Sequence, residues 1–404
     1  MRMEIPANVD MIIAQLNQHG FEAFAVGGCV RDSLLGREPE DWDITTSARP
    51  EDVKKIFRRT IDTGIEHGTV TVMLGNEGYE VTTYRIDGEY EDGRHPKTVA
   101  FTTDLLEDLR RRDFTVNAMA YSHKSGLVDA FGGCSDLEAG VIRCVGDPAD
   151  RFDEDALRIL RAIRFSAQLG FMIEPETWKA IGVIAPNIAK VSKERIQAEL
   201  TKLLLSQHPE QIVQVRDTGI SRYISLPFHQ LPWERLMISS SLPRIKYLRW
   251  AAFLHITSAE TASLILKDLK LDNDTIRKVK TLVEWAGRTI VLEPPAVRRA
   301  MSRMEPEIWD ALLRLRCSLA EGTGTKTVEQ LGELSQRIRA DGDCLNLADL
   351  AVGGYDLTAA GMKPGKELGE ALQFLLARVL ENPELNRKEE LLSLIKTTYC
   401  LEQE

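Results

Sequence analysis

The chain has 404 residues, 43% hydrophobic and 28% charged, which is ordinary for a globular protein and enough for two to four packed units. Its formal net charge of −10 argues against bulk electrostatic capture of nucleic acid but leaves room for a local basic groove. No apolar run approaches the ~20 residues of a membrane span, and the N-terminus lacks a signal peptide's apolar core, so the expectation is a cytoplasmic protein with no membrane partner.

Residues 1–20 read as an amphipathic helix, with Met11, Ile12, Ile13 and Leu16 at apolar spacing and Gly20 suited to its end. Residues 21–26 form a short apolar strand that runs into Gly27-Gly28 and then a helix over 30–35. Residues 42–45 read as a second strand. Pro50, Glu51 and Asp52 open a helix well, with proline in its first turn and acids near the positive dipole end. Residues 69–74 and 80–85 are strands around a turn at 75–78. Residues 87–97 are polar and glycine-containing and read as a mobile loop. A helix over 105–112 follows, and Gly132-Gly133 closes an α+β region with a small mixed sheet. From about Asp147 the helical period dominates, over 155–170, 194–205, 245–253, 263–269, 274–285, 308–320, 327–340 and 366–380. Weak boundaries fall at Gln207-His208-Pro209 and Glu293-Pro294-Pro295. The six cysteines (Cys29, Cys134, Cys144, Cys317, Cys344, Cys400) show no metal-ligand spacing, so no structural metal is expected and buried reduced thiols are.

Asp41-Trp42-Asp43 carries the chemistry. Carboxylates at i and i+2 of a strand share a face, with Trp42 on the other. Two hard oxygen ligands side by side suit Mg²⁺, and two such ions would activate a 3′-hydroxyl and stabilise leaving pyrophosphate. The same pattern is common in surface turns; Gly27-Gly28 and Arg31 just upstream favour the catalytic reading. That glycine turn lets backbone amides approach a triphosphate, with Arg31 one turn on. It is not a P-loop, because no Gly-Lys-Ser/Thr follows, nor a dinucleotide fingerprint, because the third glycine is missing. Glu80 is a candidate third carboxylate. Arg112 and Asp113 either hold ribose or phosphate, or pair with each other at a helix end. Arg158, Arg161 and Arg164 form one candidate basic cluster, beside Arg110-Arg111-Arg112 and Lys54-Lys55 with Arg58-Arg59.

Asp155 and Arg158 are three apart and would share a helix face. They form either an ordinary ion pair or a base-reading pair. Cytosine and adenine both present an amine donor beside a ring-nitrogen acceptor; uracil and guanine present a carbonyl acceptor beside an N–H donor. A carboxylate only accepts and a guanidinium only donates, so the pair matches C and A and leaves U and G mismatched.

In order, Gly27-Gly28-Cys29-Val30-Arg31-Asp32, Asp41-Trp42-Asp43, Arg111-Arg112-Asp113-Phe114-Thr115-Val116-Asn117-Ala118, Glu154-Asp155-Ala156-Leu157-Arg158 and Ser192-Lys193-Glu194-Arg195 resemble the class II tRNA nucleotidyltransferases, the bacterial CCA-adding enzymes and their poly(A) polymerase relatives. The resemblance is dense over residues 20–205 and thins beyond, where Gly353, Gly361, Gly365 and Gly369 look like the family's C-terminal glycines. It implies a nucleotidyltransferase-fold α+β head (1–145) followed by an elongated all-α neck (146–206), body (207–295) and tail (296–404). It implies Mg²⁺ on Asp41 and Asp43 as catalytic residues. Gly27, Gly28, Arg31, Arg112, Asp113, Asn117, Asp155, Arg158, Arg161 and Arg164 would bind the nucleotide, with Asp155 and Arg158 as the template for CTP and then ATP. Body and tail would grip tRNA by shape and backbone contacts. The implied activity is untemplated addition of CCA to tRNA 3′ ends. The alternatives are A-only addition, poly(A) synthesis, or an RNA-binding protein with an inactive head. The 87–97 loop is full length, unlike that of CC-only members, with His95 where the family usually has Arg, and is a candidate part of the C-to-A switch.

Overall fold

The computed structural model describes residues 2–88, 99–236, 238–320 and 323–399. From residue 89 on, the loop expected at 87–97 lies outside the described residues. The chain forms two compact units, Met1–Trp233 with Lys267–Leu271, and Glu234–Leu266 with Asp272–Glu404.

The first unit begins with α1 (Ala7–Gln18), whose Val9, Ile12, Ile13 and Leu16 are buried at helical spacing, and which packs on β1 (Ala23–Val26). Next come α2 (Gly28–Leu34), β2 (Ile44–Thr46), α3 (Pro50–Ile56), β3 (Thr60–Gly64), β4 (Thr69–Leu74) and β5 (Glu77–Thr83). A small hairpin, β6 (Arg85–Asp87) with β7 (Val99–Phe101), precedes α4 (Leu105–Arg110), β8 (Met119–Ser122) and β9 (Gly126–Asp129). Seven strands form one mixed sheet in the order β3-β4-β5-β2-β1-β8-β9, in which only the β2–β5 pairing is parallel. Phe24 and Val26 of β1 face one way, so they pack with Ala120 of β8, Tyr84, and Leu105 and Leu109 of α4.

The sheet register builds one corner. Ala25 pairs with Ile44, so the end of β1 lies beside the start of β2, and the Val26 N–H donates to the Asp43 carbonyl at 3.0 Å. Val26 also pairs with Ala120, and the Gly27 N–H donates to the Met119 carbonyl at 3.1 Å. The glycine turn, the Asp41–Asp43 segment and the chain entering β8 therefore meet at one sheet end.

Beyond the sheet the unit is mostly helical, with α5 (Gly133–Ala139), α6 (Pro148–Glu154), α7 (Arg158–Leu169), α8 (Pro175–Ile184) and α9 (Lys193–Leu204), and a short parallel pair of strands, β10 (Val141–Ile142) and β11 (Met172–Ile173), set between them. α7 ends at Gly170 in the left-handed conformation, and its Ile159, Leu160, Ala162 and Ile163 are buried.

The second unit is helical among its described residues, with helices Lys246–Leu254, Asn273–Ala286, Pro294–Met301, Pro306–Leu319, Thr323–Ala340, Lys366–Glu381 and Lys388–Tyr399. One of its cores joins Leu357, Ala371, Leu375, Val379, Leu391 and Ile395. Pro294 and Pro295, read from sequence as a boundary, open a helix, where a missing N–H costs nothing. No helix among the described residues is long and apolar enough to cross a membrane. The described cysteines are all free, but Cys317 is exposed and Cys134 only partly buried, so the expectation of uniformly buried thiols is corrected.

Candidate active site

β2 starts at Ile44, so Asp41 and Asp43 lie in irregular chain just before the strand rather than in the strand itself. Both are exposed, with Trp42 half-buried between them, and neither side chain makes a hydrogen bond or ion pair among the described residues. Trp42 lines a separate cavity with Leu34 and Pro39. Although water reaches Asp43, surrounding protein crowds it. Partial desolvation and then the Asp41 charge raise its pKa, Arg112 opposes them, and Glu80 adds a smaller push. Glu80 lies mid-strand in β5, not at its start. Ile44 pairs with Val81, so Glu80 stands level with Asp43. Among the described residues no three acids, histidines or cysteines gather closely enough to hold a metal by themselves. The donor set still fits a hard divalent cation. Two carboxylates with free oxygens repel each other, and a cation between them would relieve that repulsion.

Gly27 has φ +82° and ψ −127°, a region closed to most L-residues, and a Cβ there would stand 2.8 Å from Arg112 Nη1. Gly28 opens α2. Arg112 follows α4 and is held from below by Asp108, a fully buried carboxylate. Asp108 accepts from Thr45 Oγ1 at 3.0 Å and from Arg111 Nε at 2.9 Å, and lies 3.7 Å from Arg112 Nη2. Burial alone would raise its pKa, but the Arg111 and Arg112 charges outweigh that and lower it. Arg112 Nε is buried without a partner, an unmet donor beside the glycine turn.

Asp113 does not pair with Arg112. It accepts from Asn117 Nδ2 at 3.2 Å and from Arg161 Nε and Nη2 at 2.7 and 2.6 Å. Burial pushes its pKa up, yet the Arg161 and then Arg158 charges prevail and hold it at about 2. Asn117 passes the network on, its Oδ1 accepting from Arg31 Nη1 at 2.7 Å. Gly27, Gly28, Arg31, Asp43, Arg112, Asp113, Asn117 and Arg161 thus form one connected corner.

Asp155 and Arg158 do not share a helix face. Asp155 is extended (φ −142°, ψ 101°) between α6 and α7, and Arg158 is the first residue of α7. The i,i+3 ion pair is absent too. Asp155 accepts from the Leu157 N–H at 3.0 Å and from Arg195 Nη2, on α9, at 2.7 Å. Arg158 donates to Glu154 at 2.5 Å and to the Arg151 and Arg111 carbonyls at 3.0 and 3.1 Å. Arg164 turns inward, buried, donating to Glu199 at 2.5 Å and Gln168 at 2.7 Å. Asp108, Glu199 and the orienting part played by Arg195 were missed from sequence. Asp108 was findable, since it stands i−3 and i−4 from Arg111 and Arg112 on a helix. Glu199 and the Arg195 contact come from α9, far along the chain, and leave no local signal.

The "Poly A polymerase head domain" family matches residues 23–143, "Probable RNA and SrmB- binding site of polymerase A" 170–230, and "tRNA nucleotidyltransferase domain 2 putative" 246–395. The CCA-adding enzyme of Leuconostoc mesenteroides is 36% identical over 386 residues, covering 93% of this chain and 92% of that protein. That of Bacillus licheniformis is 38% identical over 397 residues, covering 93% and 94%. The chain belongs to the class II tRNA nucleotidyltransferase family. A solved member, the Bacillus stearothermophilus CCA-adding enzyme in complex with CTP, superposes with TM-score 0.85 at 33% identity over 98% of both chains. The Thermotoga maritima CCA-adding enzyme complexed with tRNA shares the fold, with TM-score 0.65 at 21% identity. As a nucleotidyltransferase of this family, the protein is an enzyme whose α+β head carries the corner described above and whose remainder is mostly helical. Divalent metal use comes with the family.

Proposed function

We propose that this nucleotidyltransferase adds C, C and A to tRNA 3′ ends without a nucleic-acid template, using CTP and ATP and releasing pyrophosphate. The observation that carries this is the partner-free Asp41–Asp43 pair beside the Gly27 turn and the unmet Arg112 donor, in a chain matched over 93–98% of its length by CCA-adding enzymes.

In this reading Asp41 and Asp43 hold Mg²⁺, which when bound acidifies the 3′-hydroxyl and neutralises charge on the phosphates. Gly27 and Gly28 bring the backbone close to the triphosphate, and Arg31 and Arg112 donate to its oxygens. Asp113 and Asn117 lie at the sugar, where Arg161 fixes the Asp113 carboxylate. The 3′-oxygen bonds to the α-phosphorus, the bond to the β,γ-pyrophosphate breaks, and pyrophosphate departs. Asp155 and Arg158 read the base edge. Arg195 orients Asp155, so the acceptor stays fixed while the base changes from C to A. Residues 1–145 form the catalytic head and 146–206 the nucleotide-selecting neck, with 207–295 and 296–404 holding tRNA.

Sequencing product 3′ ends tests the proposal. With Mg²⁺, CTP and ATP, tRNA ending at the discriminator base should gain CCA and tRNA ending in CC should gain one A. Asp41→Ala with Asp43→Ala should abolish both while tRNA binding persists. Addition of A to the CC-ended substrate alone, or long A tracts, would overturn it.

A further inference from the structure

Phe165 lies on α7 beside Arg164 and is buried, at 6% exposure. Three guanidinium groups converge on its ring. The Cζ atoms of Arg164, Arg31 and Arg161 stand 3.8, 5.2 and 5.4 Å from the ring centroid. Phe114, from the segment that carries Arg112 and Asn117, meets the same ring edge-on, with centroids 5.7 Å apart at 78°. These cations come from two elements, α2 and α7, distant in sequence.

Three like charges around one ring repel. Each is answered by its own carboxylate: Arg31 by Asp32, Arg161 by Asp113 and Arg164 by Glu199. Those ion pairs fix guanidinium edges but leave the third dimension open. An aromatic face closes it, because its negative quadrupole attracts the cation without consuming N–H donors. An aliphatic side chain of similar volume would fill the space without offsetting the repulsion. A polar one would take donors that a ligand needs. Arg164 is the buried anchor of the set, and the Arg161 side chain is 34% exposed, so its outer edge remains accessible.

We propose that Phe165 is a positioning residue for the incoming nucleotide, its ring holding Arg31 and Arg161 so that their remaining N–H groups face the nucleotide's anionic part. This rests on the nucleotidyl-transfer reading of the corner above.

The test replaces Phe165 in the full-length enzyme with 4-fluoro-, 3,5-difluoro- and pentafluorophenylalanine. Fluorine drains negative charge from the ring face at nearly constant volume and with apolar character retained. CTP dissociation constants, and KM for CTP and ATP, should climb stepwise through the series, by about tenfold in all. The affinity for tRNA should stay level. A role confined to packing predicts a flat series, and flat values would overturn the proposal even if Phe165→Leu destabilised the fold. Wild-type protein that binds CTP but incorporates none would refute the transferase reading. The CTP-binding series would still decide for or against Phe165.

Discussion

Replacing Gly27 by alanine separates backbone strain from loss of the site. At φ +82° and ψ −127° an alanine pays about 1–3 kcal/mol in backbone strain. Its Cβ would also start 2.8 Å from Arg112 Nη1, short of the 3.4 Å at which ordinary contact begins. The neighbour that must give way is the end of a flexible side chain, so the guanidinium moves and the β1 turn stays. On the proposed role of Arg112 at the triphosphate, a displaced guanidinium would forfeit a charge-assisted hydrogen bond, about 1.5–3 kcal/mol, or roughly 10- to 150-fold in kcat/KM. Gly126→Ala is the control. Gly126 sits at φ +74° at the start of β9, and a methyl added there would meet nothing within 4 Å, so it pays strain without a clash. Thermal melts should fall for both variants, by about 2–4 °C per kcal/mol. Incorporation of labelled CMP into tRNA lacking CCA should fall only for Gly27→Ala. A Gly27→Ala enzyme within twofold of wild type in kcat/KM would refute the argument.

Asp108→Asn removes the buried carboxylate that faces Arg111 and Arg112 and should cost about 3–5 kcal/mol in urea unfolding; an unchanged midpoint would contradict a stabilising role for that carboxylate. The Asp113 carboxyl is held at about 2 against an ordinary 3.8, so its stabilisation is complete above pH 4 and is lost as pH falls toward 2. The stability gap between wild type and Asp113→Asn should therefore narrow by roughly 2 kcal/mol over that window, and a constant gap would exclude the pairing as its source. Arg195→Ala frees Asp155 and should lower discrimination against UTP about tenfold, read by sequencing products made with CTP–UTP mixtures; undiminished fidelity would show that Asp155 needs no such anchor.

Sequence made the corner legible where its logic is local. Gly27-Gly28, Asp41 and Asp43, and the Arg112–Asn117 segment stand at sheet ends that strand pairing brings together. It failed where partners come from afar. The Asp155 carboxylate is oriented by Arg195, on α9, and nothing near Asp155 signals that its backbone is extended. β3 and β8 escaped for opposite reasons. The middle of β3 (Ile61, Asp62, Thr63) is exposed throughout, while β8 is buried on both faces, so neither alternates. The helices beginning at Pro148 and Pro175 were not read from sequence, and Pro294 was read as a boundary, although proline in the first turn is preorganised for the helix.

The acidic composition and the arginine-rich corner have one physical explanation. Arg31, Arg111, Arg158, Arg161, Arg164 and Arg195 each pair with a carboxylate within 3 Å. Pairing cancels their long-range field, so the corner cannot gather polyanions by charge alone. What pairing leaves intact is direction, because each guanidinium is held by its partners in a fixed pose. Recognition at this corner then depends on geometry more than on net charge, and loss of one pinning carboxylate should damage selectivity before it damages attraction. Asp41 and Asp43 break the pattern, paired with nothing among the described residues. Carboxylates left free amid so many guanidinium groups are consistent with a ligand of their own, and their mutual repulsion favours one that carries positive charge.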